Sequence, residues 1–344
     1  MARKEVVLVT GAGGEMGIGL IERLAQMPYE VVALDLRELD SAMADLCLSR
    51  IVGDVLDTRL LERLVSEFEI RAIFHLAALL STRSEFTPET AHEVNVRGTL
   101  NLLKLAVEQS RWQGHPVKFL FPSSIAVYGL PRHGAEPAEA KSRLGKIKEG
   151  DYLEPITMYG CNKLYCEHLG RYYAGHYRQL AAEVEGAGVD FRAIRFPGLV
   201  SALTIPHGGT SDYGPEMLHA AAQGEAYDCF VRPDTQIPFM VMPDAIDALL
   251  QLLEAPREAL RQSVYNIAAF APRADAFAAK VRASFPDAQL AFVPDPKRQA
   301  IVDTWPGEVD DSAARRDWGF SPVYELDRAF ADYLVPNIRG RYRA

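Results

Sequence analysis

The chain has little with which to hold a metal, cross a membrane or grip an anionic polymer. Its four cysteines, Cys47, Cys161, Cys166 and Cys229, form no C-x-x-C pair, so they offer no zinc spacing and read as reduced thiols filling a core. Eight histidines are scattered with no H-E-x-x-H, and no metal site is expected. No apolar run approaches the ~18 residues that a membrane-spanning helix needs. The early run Val6-Val7-Leu8-Val9 is too short for a signal peptide. Positive charge is in deficit: 37 Lys+Arg against 46 Asp+Glu give a net −9, which repels nucleic acid and anionic membrane surfaces at long range. The expectation is a cytoplasmic protein with no nucleic acid and no membrane among its partners. What is present, 48% hydrophobic and 24% charged residues over 344 positions, is enough for one large domain or two smaller ones with sizeable cores.

Short β-branched runs alternate with longer helical patterns over the first two hundred residues. Glu5–Thr10, Glu30–Leu36, Arg50–Gly53, Ala72–Leu76, Lys118–Phe121 and Phe191–Phe196 read as strands; Gly17–Gln26, Thr58–Glu67, Thr87–Gln109 and Thr157–Glu185 read as helices. Such alternation predicts an α/β fold with a doubly wound parallel sheet. Beyond Pro197 the pattern loosens. A strand is expected at Phe239–Met242, then a helix Ala245–Glu254 with Asp244 as its N-cap, a strand at Val264–Ala268, a helix at Asp275–Ser284 and a strand at Gln289–Val293. Asp310-Asp311-Ser312 is expected to cap a further helix. The division that follows is 1–198 plus 236–268 for a Rossmann domain, and 199–235 plus 269–344 for a smaller C-terminal α+β substrate domain. Lys141–Asp151, rich in Lys, Arg and Gly, reads as a solvated surface insertion.

Thr10-Gly11-Ala12-Gly13-Gly14-Glu15-Met16-Gly17 follows the first strand directly and opens a helix, the context that a dinucleotide fingerprint needs. Gly11 permits a tight turn, Gly14 lets backbone approach a pyrophosphate, and Gly17 allows helix and strand to pack closely. Amides at the helix start, Glu15 and Met16, then face the phosphates. Asp35, about twenty residues on, is placed to accept hydrogen bonds from the adenine ribose and repels a 2′-phosphate, which favours NAD. Leu36 and Arg37 follow it, Arg37 either over adenine or in solvent. Asp54, with Val55, either meets the adenine amino group or caps its own loop.

Phe121-Pro122-Ser123-Ser124 ends a strand at its carboxyl edge, where open α/β sheets bind ligands. Tyr159 and Lys163 lie four apart, on one face of an expected helix. An ammonium close to a phenol favours the phenolate, which takes a proton from an alcohol. With a serine hydroxyl to orient the reacting oxygen, these parts suit removal of hydrogen from a carbinol, the nicotinamide taking the hydride.

T-G-x-x-G-x-x-G at Thr10–Gly17 and Y-x-x-x-K at Tyr159–Lys163 resemble the extended short-chain dehydrogenase/reductases, the NAD-dependent epimerase/dehydratase family. The resemblance implies catalytic Ser124, Tyr159 and Lys163, with Lys163 also on the nicotinamide ribose. It implies that Asn95 shapes the helix beside the site, and that NAD is contacted by Leu76-Ala77-Ala78 and by Phe196-Pro197-Gly198. Family dehydratases carry an acidic pair after the serine, whereas Ile125 and Ala126 follow Ser124. Sugar-nucleotide epimerases usually carry polar handles that Ile237–Met242 lacks. His75–Ser81, Pro122–Gly129, Gly208–Tyr213 and Asp303–Pro306 resemble instead the short-chain-type L-threonine 3-dehydrogenases. That implies substrate contacts from Ser81, Ser123, Ser124, Tyr159, Thr210 and Trp305, and NAD-dependent oxidation of the β-hydroxyl of L-threonine or a close 3-hydroxy amino acid. The alternatives are an NDP-sugar 4-epimerase with tightly held NAD and, in another class, a non-catalytic NAD-sensing protein. The insertion at 141–151 and the stretch Gly175–Gly188 depart from the threonine dehydrogenase pattern. A homodimer through the helices near Thr87–Gln109 and Thr157–Gln179 is implied by family analogy.

Overall fold

The computed structural model describes residues 4–131, 137–181, 188–206 and 208–342. The strand Lys4–Thr10 is buried at all of its last five positions. Continuous burial of this kind, without alternation, marks a parallel strand covered on both faces. Seven strands form the main sheet, in the order Val264–Asn266, Val189–Phe196, Val117–Ser124, Phe68–His75, Lys4–Thr10, Val31–Asp35, Ser49–Val52. Lys4–Thr10 runs parallel to both of its neighbours, as does Val31–Asp35 to Ser49–Val52 and Phe68–His75 to Val117–Ser124. The strand order reverses at Lys4–Thr10, so the expected doubly wound fold is present, and the carboxyl ends beside that strand are where sheets of this kind bind ligands.

The backbone packs as two compact units: Met1–Ser123 with Cys161–Ile194 and Leu249–Val264, and Ser124–Gly160 with Arg195–Ala248 and Tyr265–Ala344. In the first, Leu8, Val32, Ile73 and Phe119 are buried among Leu64, Leu103 and Phe191. Arg192 is also buried there, held by Asp190 and by the carbonyls of Leu252, Leu253 and Ala255, so its charge is neutralised and its donors are used. In the second unit three short parallel ladders pair Phe239–Val241 with Gly198–Val200, Leu290–Phe292 with Tyr227–Cys229, and Glu308–Val309 with Lys146–Ile147.

Several local expectations are corrected. Helix runs without a break over the expected Thr87–Gln109 stretch, as Pro88–His92, Glu93–Arg97 and Gly98–Gln113, and what was not expected is that its middle segment is π-helical. The helix expected to reach Glu185 ends at Gly175; residues 182–187 lie outside the described residues. Asp244 is not an N-cap. Its helix begins earlier, at Met242, and the carboxylate accepts from the amides of Val323 and Tyr324, each at 3.0 Å. Asp310 does hold a helix start, accepting from the Ser312 amide at 2.9 Å. Lys141–Asp151 is largely exposed, as expected of a surface insertion, but it is not irregular throughout: it holds the end of the helix Pro137–Leu144 and the strand Lys146–Ile147. Lys141 is only 7% exposed. Its stem lies in the core and its ammonium is satisfied by the carbonyls of Gln236 and Val302, each at 3.0 Å, a use of lysine that composition does not reveal. Among the described residues no helix is long and apolar enough to cross a membrane.

Candidate active site

The turn after Lys4–Thr10 requires its glycines for two separate reasons. Gly11 has φ 69°, a left-handed conformation that favours glycine. A Cβ there would also stand 2.6 Å from the Ala77 amide nitrogen, and one on Gly17 would stand 2.5 Å from the Gly11 carbonyl oxygen. The helix Glu15–Leu24 therefore presses against the turn with Gly14 as its N-cap and no side chain capping it, an arrangement that presents first-turn amides and the positive helix end to an anion. Asp35 ends Val31–Asp35 and turns back to the same place: its carboxylate accepts from the Gly13 amide at 2.9 Å and from the Arg37 amide at 3.1 Å. These residues fit a dinucleotide's pyrophosphate and ribose. Leu36 is exposed beside them. Asp54 caps its own loop, accepting from the Leu56 amide at 2.9 Å, and Val55 is a core residue whose carbonyl is held by Asn101.

A buried chain of hydrogen bonds supports the next strand end. Thr99 donates to the Asn95 carbonyl at 2.6 Å. The tautomer that satisfies the rest then has His75 Nε2 donating to Thr99 at 3.0 Å and Nδ1 accepting from Thr10 at 2.9 Å. Burial, and secondarily the Lys163 charge, push His75 down to about 3, so the ring is neutral at ordinary pH. Asn95 sits in the π-helical segment and clamps Leu79 at both backbone groups, accepting from its amide at 2.8 Å and donating to its carbonyl at 3.0 Å. It thereby fixes the loop that carries Leu76, Ala77 and Ala78. Ser81 follows as the first residue of the helix Ser81–Phe86.

Ser124 ends Val117–Ser124 and caps a 3-10 turn, its Oγ accepting from the Ala126 amide at 3.1 Å. Thr157 opens the helix Met158–Gly175, accepting from the Gly160 amide at 3.1 Å. A Cβ on Gly160 would fall 2.1 Å from the Ala126 carbonyl oxygen, so only glycine lets this first turn rest on the turn that Ser124 caps. Tyr159 is thus carried next to Ser124's segment. Burial pushes its phenol above the ordinary range, opposite to the expected favouring of phenolate. Lys163 lies one turn further along the same helix, 5% exposed, donating to the Pro122 carbonyl at 2.6 Å. Its ammonium is over the Phe121 ring, 4.6 Å from the centroid. Burial lowers Lys163 to about 8 against the opposing influence of Cys166 and Glu167. Ser123, expected at a substrate, is 2% exposed and donates to Glu167 at 2.6 Å.

This chain matches the model of the NAD dependent epimerase/dehydratase family over residues 7–268. It belongs to that family. Among curated relatives, the mitochondrial L-threonine 3-dehydrogenase of Bos taurus is 34% identical over 327 residues, covering 94% of this chain and 80% of its own. A solved monomeric L-threonine 3-dehydrogenase from a metagenome superposes with a TM-score of 0.84 at 33% identity, over 98% of this chain and all of that one. An L-threonine dehydrogenase from Clostridium difficile gives 0.83 at 30% identity over the whole of both chains.

The second unit of this family member places the remaining expected residues. Phe196 is buried, and Gly198 opens a strand so near Phe239 that a Cβ would meet the ring at 2.6 Å. Thr210 is buried in a loop closed by the Gly209 amide donating to Asp212 at 2.6 Å. Arg298 clamps that loop, donating to the Gly209 carbonyl at 2.7 Å across the Phe230 ring. Trp305 is buried just past the helix Pro296–Val302. A cavity of about 420 Å³ is lined by Leu130, Leu144, Lys141, Arg232, Gln299 and Asp303; Arg232 and Asp303 form a two-pronged ion pair at 3.0 and 2.8 Å inside it. Four residues escaped sequence reading: Arg298, Lys141, Glu167 and Arg195, which donates to Tyr128 and to the Glu149 carbonyl. The spacing of Glu167, four beyond Lys163, was the available signal.

Proposed function

We propose that this chain is an NAD-dependent dehydrogenase oxidising the β-hydroxyl of L-threonine, or of a close 3-hydroxy amino acid, to the 3-oxo compound. The observation that carries the reading is the seating of Tyr159's helix turn on the turn capped by Ser124, which only Gly160 allows. The full-length likeness to L-threonine 3-dehydrogenases supplies the substrate class. NAD, when bound, accepts hydride from the carbon that carries the hydroxyl. Tyr159 takes the hydroxyl proton as its phenolate, Ser124 orients the oxygen, and the positive charge of Lys163 favours that phenolate against the burial that otherwise keeps the phenol protonated. Gly11, Gly14, Gly17 and the Glu15 and Met16 amides hold the pyrophosphate, and Asp35 selects NAD over NADP. Ser81, Thr210 and Trp305 enclose the amino acid, while Ser123, whose hydroxyl is taken by Glu167, braces the strand end.

Residues 1–198 with 236–268 then form the cofactor domain, and 199–235 with 269–344 the substrate domain, of a cytoplasmic homodimer. The test is a panel of 3-hydroxy amino acids and 3-hydroxy acids with purified protein and free NAD. NADH formation with L-threonine or a near analogue is expected. No NADH from any member, with conversion of a UDP-hexose and no net NADH, replaces this reading by the epimerase.

A further inference from the structure

Lys163 is buried, and so is a carboxylate one helical turn beyond it. Glu167 is 0% exposed and shares Lys163's face of the helix Met158–Gly175. Uncompensated charges are costly to bury, by several kcal/mol each in order of magnitude. The surroundings offer Lys163 few other counter-charges. On its own helix, Cys166 is pushed up to about 11 by burial and the Tyr159 phenol is raised, so both are neutral. From the strand Phe68–His75, His75 is neutral, pushed down to about 3 by burial. The strand Val117–Ser124 brings the Phe121 ring, the Pro122 carbonyl and the Ser123 hydroxyl, none of them titratable near neutral pH. The strand is nonetheless tied to the helix twice in succession, by Lys163 to the Pro122 carbonyl and by Ser123 to Glu167, each at 2.6 Å.

We propose that Glu167 is a positioning residue for Lys163: its carboxylate is the buried counter-charge of the ammonium and, through Ser123, fixes the Pro122 carbonyl to which that ammonium donates. Glu167 touches neither substrate nor cofactor in this account. It holds a proton and a charge in place on the residue that does. The kinetic consequence rests on the function proposed above; the electrostatic one does not.

The test is lysine-selective NMR titration of the full-length protein, with the Lys163 signal assigned by its loss in K163M. E167Q keeps an acceptor for Ser123 and removes the charge. It is expected to lower the Lys163 titration midpoint by roughly one pH unit or more while the Lys141 signal stays put. E167D keeps the charge on a shorter arm and is expected to retain the wild-type midpoint. In turnover, E167Q is expected to lose kcat first on the alkaline side with KM for NAD nearly unchanged. An unmoved midpoint in E167Q overturns the proposal, and so does a fall of that size in E167D, even if E167Q fails to fold. A wild-type protein that oxidises no hydroxy amino acid overturns the proposed function and leaves the titration to judge Glu167.

Discussion

Among the described residues two lysines, Lys141 and Lys163, are more than nine-tenths buried, both donate to backbone carbonyls, and burial lowers both to about 8. Their settings differ. Lys163 stands one turn from Tyr159, over an aromatic ring, at the strand end that Ser123 and Glu167 hold in place. Lys141 ties two carbonyls of separate segments together, in a lining whose other charges, Arg232 and Asp303, already neutralise each other. Burial alone therefore does not mark a catalytic lysine; what it is aimed at does. In the function proposed above Lys163 serves the chemistry, whereas the contacts of Lys141 are those of architecture.

The sharpest way to break that comparison is to remove each ammonium. Lys163→Met is expected to reduce kcat by ~10²-fold or more, the scale of a lost proton-transfer group, and Tyr159→Phe by at least as much with NAD binding retained. Lys141→Met is expected to leave kcat within about threefold while costing about 2 kcal/mol in denaturant unfolding, because the Gln236 and Val302 carbonyls lose their donor. A Lys141→Met enzyme that is folded and dead would make the two lysines equivalent.

A second contrast uses pH. His75 is held neutral beside Lys163, with its value depressed from 6.5 to about 3. A depressed histidine binds fewer protons folded than unfolded between those limits. Its contribution is fully present above pH 6.5 and is lost as pH falls toward 3, by about 5 kcal/mol in total. His75→Gln, which cannot charge, is expected to flatten the acid limb of the unfolding free energy relative to wild type. The two lysines make stability rise from about pH 8 toward 10.5, since the unfolded chain binds the extra proton there. Each Lys→Met variant is expected to lose part of that rise.

The smallest effect concerns the cofactor. Asp35→Ala is expected to narrow the preference for NAD over NADP about tenfold or more, read from the ratio of kcat/KM, as one carboxylate facing a 2′-phosphate is removed. Unchanged preference would mean that the carboxylate serves only the Gly13 and Arg37 amides.

The glycine turn and Asp35 were legible because they depend on local backbone: a left-handed residue, a close approach and a strand end recur at fixed spacing whatever surrounds them. The doubly wound parallel sheet followed from the alternation of strand and helix patterns, which also depends on local periodicity. Lys141 was illegible because a Lys- and Arg-rich run looks solvated until the helix Pro137–Leu144 and the strand Lys146–Ile147 turn one of its lysines inward. Asp244 was misread because a carboxylate before an apolar run resembles a cap, whereas its partners, the amides of Val323 and Tyr324, are some eighty residues away in sequence. The direction of Tyr159's shift also escaped, since spacing reveals a neighbouring ammonium and says nothing of desolvation.

The most direct measurement is of hydrogen itself. L-threonine carrying deuterium at its β-carbon is incubated with NAD and the wild-type protein, and the recovered NADH is examined by mass spectrometry. Deuterated NADH from wild type, and none from Tyr159→Phe under conditions where that variant still binds NAD, is the expected result. Unlabelled NADH, or equal transfer by Tyr159→Phe, would contradict the account.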